Sequence, residues 1–163
     1  MTAIARFSSL SALVGLLLFG SSCRECGGDQ PPDQASRVSI AQGAWGQVWF
    51  WEGDLMPIGP SRRITAVSRT VYAFELTRTD QVTPAGGGGF YSAIHTRLVD
   101  SVRSDGRGFF QLTLPVGRYS FFVREQDAYY ANGWDGDSNI LPATVETGAV
   151  AKVQIDLTYR AFF

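Results

Sequence analysis

Histidine and lysine are almost missing from this chain: His95 and Lys152 are the single examples among 163 residues. One imidazole cannot assemble a zinc peptidase site of the histidine-rich kind. A Ser-His-Asp triad would have to pass through His95, in the strand-like run AIHTRLV, and no nucleophile elbow stands elsewhere in the chain. Enzymatic activity is therefore not expected. An excess of positive charge is missing too, with 14 Lys and Arg against 15 Asp and Glu. That balance gives no electrostatic reason for a polyanionic partner, so nucleic acid is not expected. The most apolar run, Leu10 to Phe19, is too short for a transmembrane helix, which needs about 20 apolar residues. A convincing helical period is absent beyond it.

What the N-terminus does contain is the pattern of an export signal. Arg6 is the only charge in residues 1–22, and the apolar run ends in Gly20-Ser21-Ser22 before Cys23. The segment LFGSSCREC resembles the lipobox of bacterial lipoproteins, in which the cysteine receives lipid and becomes the first residue, although Gly20 stands where Leu is usual. On this reading the chain is anchored in the membrane through Cys23, with the outer membrane as the expected site, and Cys26 is left as a thiol. The other reading is cleavage by an ordinary signal peptidase, leaving Cys23 and Cys26 to pair in an oxidising compartment. Residues 23–42, with Gly, Pro, Gln and charge in RECGGDQPPDQASR, read as a flexible spacer, and residues 43–163 as the folded domain.

Within the domain the apolar residues alternate as strands do. Phe110, Leu112 and Leu114 share one face, and Tyr119, Phe121 and Val123 share the next, across a turn at Leu114-Pro115-Val116-Gly117. Ala151, Val153, Ile155, Leu157 and Tyr159 alternate with Lys152, Gln154, Asp156 and Thr158. Further strands are expected at Trp45 to Glu52, Val67 to Thr77, Ile94 to Ser104 and Leu141 to Glu146, and Gly86 to Gly89 reads as a loop. Two features break the pattern: Trp49 and Trp51 make the first strand apolar on both faces, and Asp100 shares a face with Leu98 and Val102. A bulge or a covered edge would account for either. About seven antiparallel strands in a β-sandwich is the expected fold.

The stretch VRSDGRGFFQLTLPVGRYSFFVRE, with GQVWFWEGDLMP before it and YYANGWDGDSNILPATVETGAVAKVQIDLTYRA after it, resembles the carboxypeptidase regulatory-like domain, a transthyretin-like β-sandwich. The matching positions are Gly46 and Val48, then Ser104, Asp105, Gly108 and Phe109 or Phe110, then Leu114, Pro115, Gly117 and Tyr119. Thr79 to Tyr91 has no counterpart in the minimal domain. The resemblance implies a non-catalytic module, so binding or assembly in the cell envelope is the expected role, with an envelope protein or a glycan as partner.

Two groups of residues could carry such a role. Asp135, Asp137 and Asn139 in DGDSN alternate as the oxygen ligands of calcium loops do, and Glu146 falls at the twelfth position, but Ile140 stands where an EF-hand needs glycine. A looser calcium loop and a solvent-exposed Gly/Asp turn are the two readings. The second group is aromatic: Trp49, Trp51, Tyr129, Tyr130 and Trp134. On one surface they would stack on sugars or a protein, and otherwise they seal the core. A secreted glycan-binding accessory domain with a calcium-stabilised loop is the alternative function.

Overall fold

The structure is a computed structural model and describes residues 33–55 and 63–163. Cys23, Cys26 and the signal segment lie outside the described residues. The strands in chain order are β1 (Gly43–Asp54), β2 (Arg63–Ala66), β3 (Thr70–Glu75), β4 (Val82–Pro84), β5 (Phe90–Ile94), β6 (Leu98–Arg103), β7 (Phe109–Leu112), β8 (Gly117–Glu125), β9 (Ala128–Tyr130), β10 (Pro142–Val145) and β11 (Val150–Phe162). Short 3-10 turns sit at Ala35–Arg37 and Thr79–Gln81.

The strands make the two facing sheets of a β-sandwich. In the four-stranded sheet β1 is central: β11 lies along one edge, while β7 and β2 share the other, against Ala44 to Gln47 and Trp49 to Glu52 respectively. The seven-stranded sheet runs β4-β5-β9-β8-β3-β6, with β10 added to the N-terminal half of β8. Residues from both sheets fill the core between them, among them Val48, Phe110, Ile155 and Leu157 from one side and Val71, Phe121, Val123 and Tyr130 from the other.

Three expectations from the sequence are revised. The described residues hold eleven strands rather than about seven, and β1 and β11 pair in parallel, so the smaller sheet is mixed rather than purely antiparallel. The run Ile94 to Ser104 is not one strand: Ile94 ends β5, the chain bends, and β6 starts at Leu98. Asp100 is placed by a bulge, because Ala73 faces Asp100 while Phe74 faces Leu98, so Val99 is extra. The inserted residue sends Val99 and Val102 to the core and leaves Leu98 and Asp100 exposed.

The third revision concerns where the fold begins. Asp33 to Gln42, read as spacer, lies on the outer face of the four-stranded sheet. The Gln34 amide donates to the Arg107 carbonyl at 3.0 Å, Ser39 and Gln111 exchange two hydrogen bonds at 3.0 and 2.7 Å, and Gln42 donates to the Leu114 carbonyl at 3.0 Å. The Arg37 guanidinium sits 4.2 Å from the centre of the Phe109 ring, and Lys152, paired with Asp33, lies 5.2 Å from Trp45. This cover explains the doubly apolar first strand. Trp45 and Trp49 point away from the core, yet are 6% and 8% exposed because polar chain lies over them.

The outer face of the larger sheet is covered as well. Phe122 is buried although it alternates away from the sandwich core, and packs edge-on against Phe74 and Tyr91 at 5.6 and 5.8 Å. Val82 and Tyr91, from the segment Thr79 to Tyr91, close a second small core with Ala131 and Ile140. Burying one such phenylalanine contributes about 1.5–3 kcal/mol toward holding the segment on the sheet.

Several turn and close-contact residues have local structural work. Gly46 lets β1 and β11 approach, since a Cβ there would stand 1.7 Å from the Val153 carbonyl oxygen. Asp105 accepts backbone hydrogen bonds from Arg107 at 2.8 Å and Phe109 at 3.0 Å, which closes the turn into β7. Gly108, at φ 74°, completes that turn where a Cβ would meet the Val48 carbonyl oxygen at 2.5 Å. The Tyr119 hydroxyl donates to the Pro115 carbonyl at 2.9 Å and ties the following turn to β8.

Candidate functional site

The five aromatic residues do not share a surface. Strand alternation sends Tyr129 and Tyr130 to opposite faces of β9. Tyr130 is 1% exposed in the sandwich core, its hydroxyl bonded to Thr158, whereas Tyr129 lies in the second core against Tyr72 and Phe74, with the Arg124 guanidinium 5.0 Å from its ring centre. Trp134 is half exposed near Tyr91, whose phenol is raised above its usual value by burial. Trp49 and Trp51 do share a place, the outer face of β1. The Trp51 indole is half-buried and donates to the Asp156 carboxylate at 3.0 Å.

Asp135, Asp137 and Asn139 are brought into one loop. The Asp135 carboxylate accepts the backbone N–H groups of Asp137 at 3.0 Å and Asn139 at 2.8 Å, and the side-chain amide of Asn139 at 2.7 Å. The Asn139 amide is the main cause holding the Asp135 carboxyl below its usual range. Both oxygens of that carboxylate thus fasten the loop to itself, with Arg118 at 3.5 Å. Glu146 is exposed and lies beyond β10. Among the described residues no group of three or more His, Cys, Asp or Glu stands close enough to hold a metal ion. His95 sits near the surface, its Nε2 3.0 Å from the Thr83 hydroxyl.

One buried ionic cluster escaped sequence reasoning. Glu125, 5% exposed at the end of β8, accepts from the Arg69 Nε and from the Tyr159 hydroxyl at 2.7 Å. Burial, and after it the Glu125 carboxylate, push the Tyr159 phenol up to about 12. Tyr159 and Arg69 lie 34 and 56 positions from Glu125 in sequence, and no local pattern links the three.

On the outer face of the four-stranded sheet a cleft of about 530 Å³ lies beside Trp49. Trp49 and Ala66 form its floor, and Asp33, Gln34, Ser36, Arg37, Gly106 and Arg107 form its rim. The walls are fixed by their own bonds: Arg37 reaches both the Gln34 side-chain oxygen and Asp105, while Gln34 holds the Arg107 carbonyl. Burial pushes the Asp105 carboxyl up, but the Arg37 hydrogen bond and two backbone N–H groups outweigh it and hold the group below its usual range. Of this site the sequence singles out only Trp49. Gln34 and Arg37 sit in a polar stretch without periodicity, where no signal marks a docked segment.

No known protein family, curated protein or solved structure matches this chain.

Proposed function

We propose that this protein is a non-catalytic module of the cell envelope, held to the membrane by lipid on Cys23, and that it binds its ligand or partner with the outer face of the four-stranded sheet. The observation that carries the reading is the incomplete cover of that face. Asp33 to Gln42 closes over Phe109 and its Asp33 pairs with the Lys152 that covers Trp45, but it leaves a cleft beside Trp49, where two elements far apart in sequence meet. Recessed apolar floors with a few convergent polar groups are where proteins hold ligands.

The carboxylates best placed for acid–base work support the non-catalytic part, because each is engaged in holding the fold. Glu125 is bound to Arg69 and Tyr159, Asp105 closes a turn, and Asp135 closes a loop. The likeness to carboxypeptidase regulatory-like domains points the same way, and its matched positions do structural work. The lipobox-like LFGSSC supports the anchor.

Metabolic labelling with an alkyne fatty acid in a bacterial host tests the anchor. The wild-type chain is expected to carry label and partition with detergent, and Cys23→Ser to lose both. An unlabelled wild-type chain found in the aqueous phase would overturn the lipoprotein reading in favour of ordinary secretion.

A further inference from the structure

We infer that the open edge of β11 is a self-association site, where a second copy of this chain adds its own β11 antiparallel about a two-fold axis through Gln154. The contact uses the edge of the four-stranded sheet rather than its outer face.

β11 is the longest strand, at 13 residues, and among the described residues it pairs with β1 alone. Along a strand the backbone groups of successive residues point to opposite edges. The Ala149 carbonyl accepts from the Gly43 N–H at 3.1 Å and the Val153 carbonyl oxygen lies against Gly46, so the odd-numbered positions of this run face β1. Val150, Lys152, Gln154 and Asp156 therefore turn both N–H and C=O to the open edge. The register with β1 is regular from Val150 to Leu157 and shifts only beyond it, where Thr158 already gives its N–H to the Tyr130 hydroxyl. The β6 edge of the larger sheet differs: that strand has six residues and carries the bulge at Val99. Bulges and short length blunt an edge, whereas a long regular one is a template for another strand.

The side chains select the occupant and the register. With the two-fold axis at Gln154, Lys152 of each copy stands opposite Asp156 of the other, and Val153 stands opposite Ile155. Opposite charges directly across antiparallel strands attract, and like charges repel. An axis at Lys152 or at Asp156 sets that residue against its own copy. Axes at Val153 or Ile155 leave both charges opposite neutral residues. The register at Gln154 thus satisfies both, and it uses the whole regular run. Lys152 is half exposed and donates to Asp33, while Asp156 accepts from the Trp51 indole and the Gln154 amide. The ammonium keeps further donors and the carboxylate a further acceptor site for the second copy. Val153, Ile155 and Leu157 are already buried within one chain, so pairing adds little apolar area and the association is of the weak, reversible class.

The test follows the whole exported chain, in density-matched nonionic detergent, by sedimentation equilibrium over the micromolar to millimolar range. A monomer–dimer equilibrium is expected. Gln154→Pro removes an N–H that points out of the sheet, so it is expected to abolish the dimer while the thermal midpoint stays close to that of the wild type. Lys152→Asp is expected to weaken association about tenfold, and the double exchange Lys152→Asp with Asp156→Lys to restore it to within about threefold. A chain that stays monomeric throughout, a dimer that Gln154→Pro leaves intact, or a folded double exchange that does not recover association would overturn the inference.

Discussion

Tyr159 gives its hydroxyl proton to a hydrogen bond with a carboxylate that has little access to water. Glu125 is stabilised by that bond and by Arg69, and the phenol is correspondingly hard to ionise, with its value near 12 instead of 10. The folded state therefore gains from Tyr159 fully below pH 10, where the phenol is neutral in folded and unfolded chains alike. Between about 10 and about 12 the unfolded chain ionises first, so this stabilisation is lost as pH rises. Tyr159→Phe removes a hydrogen bond to a charged group and is expected to cost about 1.5–3 kcal/mol near neutral pH. It should also flatten the decline of stability above pH 10, because the titrating group is gone. Urea unfolding of both chains from pH 7 to 11.5 reads this. Parallel declines in the two chains would show that Tyr159 is not the group responsible.

At the level of elements, the docked segment Asp33 to Gln42 is the strongest statement the structure makes beyond the sequence. A chain beginning at Gly43 keeps every strand but uncovers Phe109 and the side of Trp49 that faces Gln34 and Arg37. It is expected to be less stable by about 2 kcal/mol or more from the apolar area returned to water, and to bind a hydrophobic dye that a chain beginning at Pro31 ignores. Thermal unfolding of the two chains decides this, and equal midpoints would mean that the segment contributes no cover. The same elements show what was legible. β7, β8 and β11 stand out because each alternates over four or more residues between clear turns. β4 and β9 have three residues each, too few for a period of two to show, and β5 merges with β6 across a bend that carries no glycine or proline. The cover over β1 was legible only as a puzzle, in the tryptophans that faced away from the core. Its solution lies in Gln34 and Arg37, whose bonds reach residues about seventy positions away.

For the molecule as a whole, a sandwich with two covered outer faces has few places left to meet a partner. Phe122 and its neighbours fill the outer face of the larger sheet, and the DGDSN loop is fastened by its own hydrogen bonds. On the outer face of the four-stranded sheet, among the described residues, the cover leaves a cleft beside Trp49. The central proposal is that the protein binds through the outer face of the four-stranded sheet, at this cleft. A photoreactive benzophenone side chain at Ser36 on the rim, compared with one at exposed Leu98 on β6 of the other sheet, tests it most directly in native envelopes. Discrete crosslinked products from position 36 and none from position 98 are predicted. Products from position 98 alone, or the same products from both, would contradict the claim.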